Sequence, residues 1–577
     1  MPSVTGALAE RIVAAAVTAF GAEQAGVDPL IRRSDRADYQ ANLAMGLAKT
    51  LGRPPRDVAH ALLASLRCDD LCDRVEVSGP GFLNLTLRTE VIARALGRMI
   101  ADERLEVLAV PRGERVVIDY SAPNVAKEMH VGHLRSTILG DAIAHVLLFL
   151  GHDVVRQNHL GDWGTPFGML VEHLVELGGQ AAAAELSAGA LGAFYREARR
   201  KFETDEAFAE RSRLRVVALQ RGDEPTLALW RALVAASARH FGEVYSRLGV
   251  ALTQEDVRGE SSYNADLPSV SEELERRGLT RLSDGALCVF PPGFSGRTGE
   301  PLPLVVRKSD GGYGYAATDL AAVRHRTGEL HATRLVYVVG APQAQHLAMV
   351  FAVAASAGWL LPPARAEHVA FGSVLGADGK MFKTRAGETI RLVDLLTEAV
   401  ARADAIVAAK SPDLDGATRA EIARAVGLGA IKYADLSNDR IKDYVFDWDR
   451  MLATDGNTGP YLQYAHARMC SVVRRAGGPA AVDTPLRLNE APERELALQL
   501  LQLGAAVDLV ARELEPHHLC TYLFAVATRA TAFYERCPVL KAEDPATRAS
   551  RVALCDVTAR VLARGLSLLG IDAPQRL

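Results

Sequence analysis

The stretch Asp119-Tyr120-Ser121-Ala122-Pro123-Asn124-Val125-Ala126-Lys127-Glu128-Met129-His130-Val131-Gly132-His133 decides the fold. Just upstream, Val116, Val117 and Ile118 form a short apolar run that reads as a strand buried on both faces. The chain then turns around Pro123, and Leu134, Ile138, Ile143 and Leu147 recur on one side of a helix. A strand feeding a turn and a helix is the building unit of a doubly wound parallel sheet. His130 and His133 stand three residues apart around Gly132, so both imidazoles project to one side of the first helical turn. Gly132 lets a ligand approach the backbone, and the free N–H groups and dipole of that turn favour an anion. Taken alone, the two histidines also read as a zinc pair or as structural residues.

Working outward, a second strand pattern runs from Leu335 to Val339 and is followed by a helix. Between Leu174 and Leu248 the pattern is almost purely helical and charged, an insertion beside the sheet. Its basic runs, Arg196 to Lys201 and Arg211 to Arg215, read as solvated helix faces or as RNA contacts. After Ile390 the pattern is helical to the end, with breaks at Ser411-Pro412, Gly456 to Pro460, Gly477 to Pro479 and Cys537-Pro538. At the other end, an amphipathic helix (Leu8, Ile12, Ala16, Phe20) precedes strands at Arg74 to Val77 and Phe82 to Leu87. The expectation is a multidomain α/β protein. An N-terminal α/β domain covers 1–108, and a Rossmann-type doubly wound domain covers 109–400 with its helical insertion near 174–250. An all-α domain covers 401–577.

Composition bounds the function. The 577 residues carry 66 basic and 70 acidic side chains, a net charge of −4, and 49% are hydrophobic, which excludes global disorder. Mild acidity gives no global polyanion signal, yet a local basic face suffices for RNA. No apolar run approaches the roughly 18 residues needed to span a bilayer, and the N-terminal helix lacks the features of a secretory signal. Seven scattered cysteines without a C-x-x-C pair read as reduced thiols, so a cytoplasmic protein without zinc is expected.

Only 10 of the 66 basic residues are Lys. Three of these, Lys127, Lys380 and Lys383, fall in two short motifs. The second motif is Asp378-Gly379-Lys380-Met381-Phe382-Lys383-Thr384-Arg385, a polar loop. Flexible point charges there suit a pyrophosphate whose charge grows during transfer, although a lone K-x-x-K also reads as a solvated loop.

Taken together, H-V-G-H at a strand-to-helix turn and K-M-F-K-T some 250 residues later resemble the H-I-G-H and K-M-S-K-S pair of class I aminoacyl-tRNA synthetases. Val131 and Phe382 are the departures. Within that class the chain resembles the arginyl-tRNA synthetases. Ser121 to Thr137 and Asn158-His159-Leu160-Gly161-Asp162-Trp163-Gly164-Thr165 carry the likeness. So do Asp38 to Asn42, Gly79 to Phe82, Asp443 to Trp448 and Asn457 to Arg468.

The resemblance implies ATP-dependent ligation of L-arginine to tRNA(Arg) through an arginyl-adenylate, with ATP entering as its Mg²⁺ complex and no prosthetic group. It assigns the arginine pocket to Asp119, Ser121, Asn124, His133, Tyr315, Asp319 and Gln343. The spacing Tyr315-x-x-x-Asp319 puts a phenol and a carboxylate on one helical face, suited to a guanidinium. Gln345, beside His346, is the alternative glutamine, and some relatives place a pocket Gln where this chain has Met349. ATP falls to His130, Gly132, His133, Lys380, Met381 and Lys383, with catalysis by His130, His133, Lys380 and Lys383. tRNA contacts fall to Tyr39, Gln40, Asn42, Tyr461, Tyr464 and Arg468, with His466 also plausible. A monomer without an editing domain is expected. Two competing readings remain: a class I synthetase for cysteine, disfavoured because no cysteine cluster lies near either motif, and a non-catalytic tRNA-binding paralogue, disfavoured because both motifs are intact.

Overall fold

Hydrophobic periodicity and β-branched runs build what positions the site. The computed structural model describes residues 3–185, 190–382 and 390–577. Four parallel strands form the central sheet in the spatial order Arg365–His368, Arg334–Tyr337, Arg115–Asp119, Asp153–Gln157. Successive side chains point to opposite faces, and both faces are covered. Val116, Ile118 and Val336 enter one core with the helix Val131–Phe149, here called the signature helix. Val117, Leu335 and Tyr337 enter a second core with Tyr315–Gly328, Ala344–Ser356 and Leu267–Arg276. Helices on both faces of a parallel sheet make the doubly wound architecture expected above.

The signature helix is buried nearly all round, because helices of the C-terminal part cover the side turned away from the sheet. Gly140 makes its close seat possible: a Cβ there would lie 2.3 Å from the Tyr120 side chain. The insertion consists of Gln180–Glu185, Leu191–Thr204, Glu206–Gln220 and the 25-residue helix Glu224–Leu248, here the insertion helix. Five of the seven cations in its basic runs pair with carboxylates, three of them with Glu172 and Glu176 of the preceding helix Pro166–Glu176. Lys201 and Arg211 pair with Glu176, Arg211 and Arg215 with Glu172, and Arg199 and Arg200 with Glu203 and Glu197.

Three features depart from expectation. The N-terminal sheet has four strands, in the order Ile31–Arg33, Tyr39–Ala41, Phe82–Leu87, Cys72–Ser78. Its first two strands have three residues each, too short to show a period of two. A three-stranded antiparallel sheet (Thr280–Ser283, Ala286–Val289, Leu304–Arg307) follows the insertion. The chain beyond Ile390 is also not wholly helical. Tyr444–Val445 is a two-residue strand pairing in parallel with Val374–Leu375, and Gly459-Pro460 open a helix rather than merely breaking one.

Candidate active site

Strand order reverses on either side of Arg115–Asp119, so the crevice beyond Asp119 and Tyr337 is the switch point where ligands bind in such sheets. The chain leaves the strand through two non-glycine residues in the left-handed region, Ser121 (φ 72°) and Ala122 (φ 45°). This turn is held from outside. The Ser121 N–H donates to Ser136 Oγ (2.9 Å), and the Ala122 N–H donates to Asn158 Oδ1 (3.0 Å). Asn158 opens the Asn158-to-Thr165 motif, which explains part of that motif's presence.

The two histidines cap the signature helix. His130 is the N-cap, its Nδ1 accepting from the Gly132 N–H (3.0 Å), while His133 Nδ1 accepts from the His130 N–H (3.1 Å). An acceptor nitrogen carries no proton, so in the neutral rings both protons sit on Nε2. Burial together with Lys127 lowers the His130 pKa, and burial together with His130 pulls that of His133 down to about 3. Both rings are therefore neutral Nε2–H donors at physiological pH, their centroids 4.1 Å apart. The structural reading of this motif is thus correct, and capping leaves both Nε2–H groups outside these bonds. Gly132 serves the capping: a Cβ there would lie 2.8 Å from the His130 ring.

The lysine motif follows the strand Val374–Leu375. Gly376 and Lys380 close a turn (Gly376 N to Lys380 O, 2.7 Å), leaving Lys380 and Met381 exposed. Phe382, the departure from the K-M-S-K-S pattern, stacks on Phe446 with centroids 4.6 Å apart, and its N–H donates to Val374 O (3.1 Å). Lys383, Thr384 and Arg385 lie outside the described residues. The chain re-enters at Ile390, whose carbonyl accepts from the Val131 N–H (3.1 Å), while the Leu392 N–H donates to Met129 O (2.9 Å). The segment downstream of the lysine motif, at Ile390 and Leu392, therefore pairs by backbone with the histidine turn.

Carboxylates gather at the strand ends, where the charges of Asp119 and Asp319 both act on the Tyr337 phenol. Arg326, fully buried, donates to Asp119 Oδ2 (2.7 Å) and to Gln157 Oε1 (2.7 Å). Asp119 Oδ1 is buried with no partner among the described residues. The charge of Asp119 is thus already balanced, and one oxygen remains to accept a hydrogen bond. Asp319, on the helix Tyr315–Gly328, pairs with His346 (2.6 Å) and raises its pKa. The sequence reading missed Glu260. Burial, and then the charges of Asp162 and Asp319, push its carboxyl up to about 8. The Asn158 motif positions it: the Glu260 N–H donates to Leu160 O (3.0 Å), and Ser261 satisfies Asp162 through its N–H (2.8 Å) and hydroxyl (2.6 Å). A lone Glu in Arg258-Gly259-Glu260-Ser261 carries no periodic or spacing signal. Tyr315 is largely exposed, and its phenol pKa is raised by partial burial and by Glu260. Asn124, Gln343 and Gln345 are exposed, whereas Met349 is in the core.

The residues assigned to RNA divide. Tyr39 is 1% exposed, and its hydroxyl accepts from Gln502 Nε2 (2.7 Å), so it belongs to the joint between the N-terminal domain and the C-terminal helices. This corrects its assignment, because a ring buried on both sides offers no face to a base. Gln40 donates to Asn84 Oδ1 (2.9 Å) and Asn42 precedes the helix Leu43–Leu51; both are half-buried. His466 is buried against the Pro574 carbonyl (3.0 Å), a second correction. Tyr461 packs beside Phe524, but Tyr464 is exposed with the Arg468 guanidinium 4.6 Å above it, and Tyr534 lies 5.5 Å from the same guanidinium.

Among the described residues one group, Glu515, His517 and His518, could converge on a metal, yet the Arg440 guanidinium lies 3.6 Å from Glu515. No helix among the described residues is long and apolar enough to cross a membrane.

Comparisons with known proteins agree along the whole chain. Residues 96–448 match the family model "tRNA synthetases class I (R), catalytic domain", 462–577 match "DALR anticodon binding domain", and 7–87 match "Arginyl tRNA synthetase N terminal domain". The chain is 56% identical over 571 residues to the arginine–tRNA ligase of Thermobifida fusca, covering 99% of each. It is 52% identical to that of Frankia casuarinae, covering 98% of each. Its fold is similar to the arginyl-tRNA synthetases of Plasmodium falciparum (TM-score 0.86, 27% identity, 100% of each chain) and Thermus thermophilus (TM-score 0.82, 28% identity, 99% of each chain).

Proposed function

The chain belongs to the arginyl-tRNA synthetase family, and from that premise we propose how its own residues charge tRNA(Arg) with arginine. It is a class I aminoacyl-tRNA ligase that uses ATP as a substrate. The observation that carries the residue-level reading is the meeting of Glu260 with Asp319. Two half-buried carboxylates whose charges act on each other, one lifted to about 8 and the other paired with His346, form a site suited to a permanent cation. A guanidinium is permanently charged and planar, so it matches such a pair and displaces His346 from Asp319. Tyr315 and Gln343 line the rim of this subsite. At the other end Asp119 Oδ1, Ser121 and Asn124 hold the α-amino group, leaving the carboxylate near the histidine turn.

The arginine carboxylate attacks the α-phosphate of ATP in line, giving arginyl-adenylate and pyrophosphate. No covalent nucleophile from the protein is needed, so catalysis is positioning and charge stabilisation. His130 and His133 donate from Nε2 to the phosphates, Gly132 opens the backbone to the nucleotide, and Lys380, Met381 and Lys383 close on it. Mg²⁺ accompanies ATP as its substrate complex. A ribose hydroxyl of the tRNA's terminal adenosine, the 2′-OH by class, then takes the arginyl group and releases AMP. Discrimination needs no editing, because an analogue lacking the guanidinium leaves Glu260 and Asp319 without that shared partner. Tyr464 and Arg468 stack on anticodon bases, Gln40 and Asn42 touch the tRNA corner, and the enzyme acts as a cytoplasmic monomer.

Pyrophosphate exchange with each amino acid, with and without tRNA, tests this. Arginine-specific exchange is expected. Exchange with another amino acid, or none alongside tight tRNA binding, would overturn it.

A further inference from the structure

The insertion helix ends inside the active site. Tyr245, three residues before its C-terminus, is buried, with its hydroxyl 2.8 Å from Ser121 Oγ and 3.0 Å from Asn158 Nδ2. Ser121 Oγ also lies 2.9 Å from Thr137 Oγ1, which is 2.7 Å from the His133 carbonyl. Each hydroxyl has one proton, so the direction of this chain can be derived. A carbonyl only accepts, so Thr137 gives its proton to His133 O and must accept from Ser121. Ser121 has then spent its proton and accepts from Tyr245. Tyr245, having given its own, accepts from the Asn158 amide, whose Oδ1 already receives the Ala122 N–H. Burial keeps the Tyr245 hydroxyl protonated, its pKa up at about 12.

Ser121 is left with no proton to offer and one lone pair. Its partner must be a donor, and its tie to His133 places it at the end of the pocket where the carboxylate reacts. We infer that Tyr245 is a positioning residue for arginine, which fixes Ser121 as the acceptor for the substrate's α-ammonium. This rests on the assignment of Ser121 to the arginine pocket. Tyr245 also braces the left-handed turn at Ser121 and Ala122, so a helix of the insertion sets the shape of the amino-acid site.

The test uses the full-length enzyme, with rates normalised to active-site titration. Tyr245→Phe should raise the arginine KM about tenfold, the effect of losing one organised hydrogen bond to a charged group, and leave the ATP KM unchanged. The inhibition constant of 5-guanidinopentanoate, which lacks the α-amino group, should not move. An unchanged arginine KM, or equal weakening of arginine and the analogue, would overturn the inference. Ser121→Ala separates the two readings. If it leaves arginine KM unchanged, the pocket assignment fails; if it raises KM while Tyr245→Phe does not, only the role of Tyr245 fails. Should Tyr245→Phe not fold, Thr137→Val breaks the same chain from its other end and is expected to give the same signature; its absence would count against the inference.

Discussion

His133 Nδ1 accepts a hydrogen bond from the His130 backbone N–H at 3.1 Å, so the second histidine of the motif caps the first. Reciprocal capping consumes both Nδ1 atoms and aims both Nε2–H groups away from the helix. Helix capping and tautomer selection are one and the same act here, and the helix dipole reinforces it by opposing a positive charge on either ring.

Asparagine separates the two duties of His130. It accepts at an N-cap through Oδ1 much as the imidazole does through Nδ1, but it has nothing to place at Nε2. His130→Asn should keep its melting temperature and lose about 100- to 1,000-fold in adenylate formation. His130→Ala should lose the same activity and about 1 kcal/mol of stability as well. Near-normal exchange by His130→Asn would reduce this residue to a cap.

The lifted Glu260 makes arginine binding pH-dependent. Below about 8 the empty site holds this carboxyl protonated, and a guanidinium favours its ionised form, so binding releases a proton. The arginine KM should fall as pH rises from 6 to 8 and level off above. His346 works in the same direction, because its Asp319-raised pKa keeps a competing cation in place at low pH. Glu260→Gln should raise the KM and flatten the profile; a profile as steep as the parent's would remove Glu260 from the site.

Asp319→Asn should raise the arginine KM about 10- to 100-fold, as expected for a lost charge-assisted pair. The ATP KM should stay near normal, since the groups proposed to bind the nucleotide are those of the histidine turn and the lysine motif. An unchanged arginine KM in steady-state kinetics would remove Asp319 from the pocket.

Lys383→Ala should slow adenylate formation far more than it weakens arginine binding if, as proposed, the lysine meets charge that grows only in the transition state. Single-turnover kinetics beside equilibrium arginine binding would show it. Equal losses in both would argue against that role.

The central strand, the signature helix and the order of the two motifs were legible because each is local: an apolar run, a 3.6-residue period, a fixed spacing. What was not legible is made by tertiary contact. Tyr39 looks like an RNA-facing aromatic in sequence, and only the docking of Gln502 shows it as an interdomain joint. Tyr245 reaches the site from the last helix of the insertion and Glu260 from just beyond it, where the pattern reports solvent-facing periodicity and says nothing of one inward residue. Asp119 reads as a free counter-charge until Arg326, some two hundred residues later, is found on it.

That division bears directly on tRNA. Tyr464 and Tyr534 are exposed at about 40% and 38%, and the Arg468 guanidinium sits between them, a ready stacking platform for unpaired bases. Stacking of one base on such a ring is worth about 1–3 kcal/mol. Tyr464→Ala or Tyr534→Ala should therefore weaken tRNA binding about 5- to 100-fold, measured by filter binding at fixed salt because phosphate contacts make any affinity salt-dependent. Tyr39→Phe removes only the hydrogen bond to Gln502. It should cost about 1 kcal/mol of stability and leave tRNA affinity within about twofold. A strong tRNA defect in Tyr39→Phe with unchanged stability would mean that the N-terminal joint opens to admit RNA.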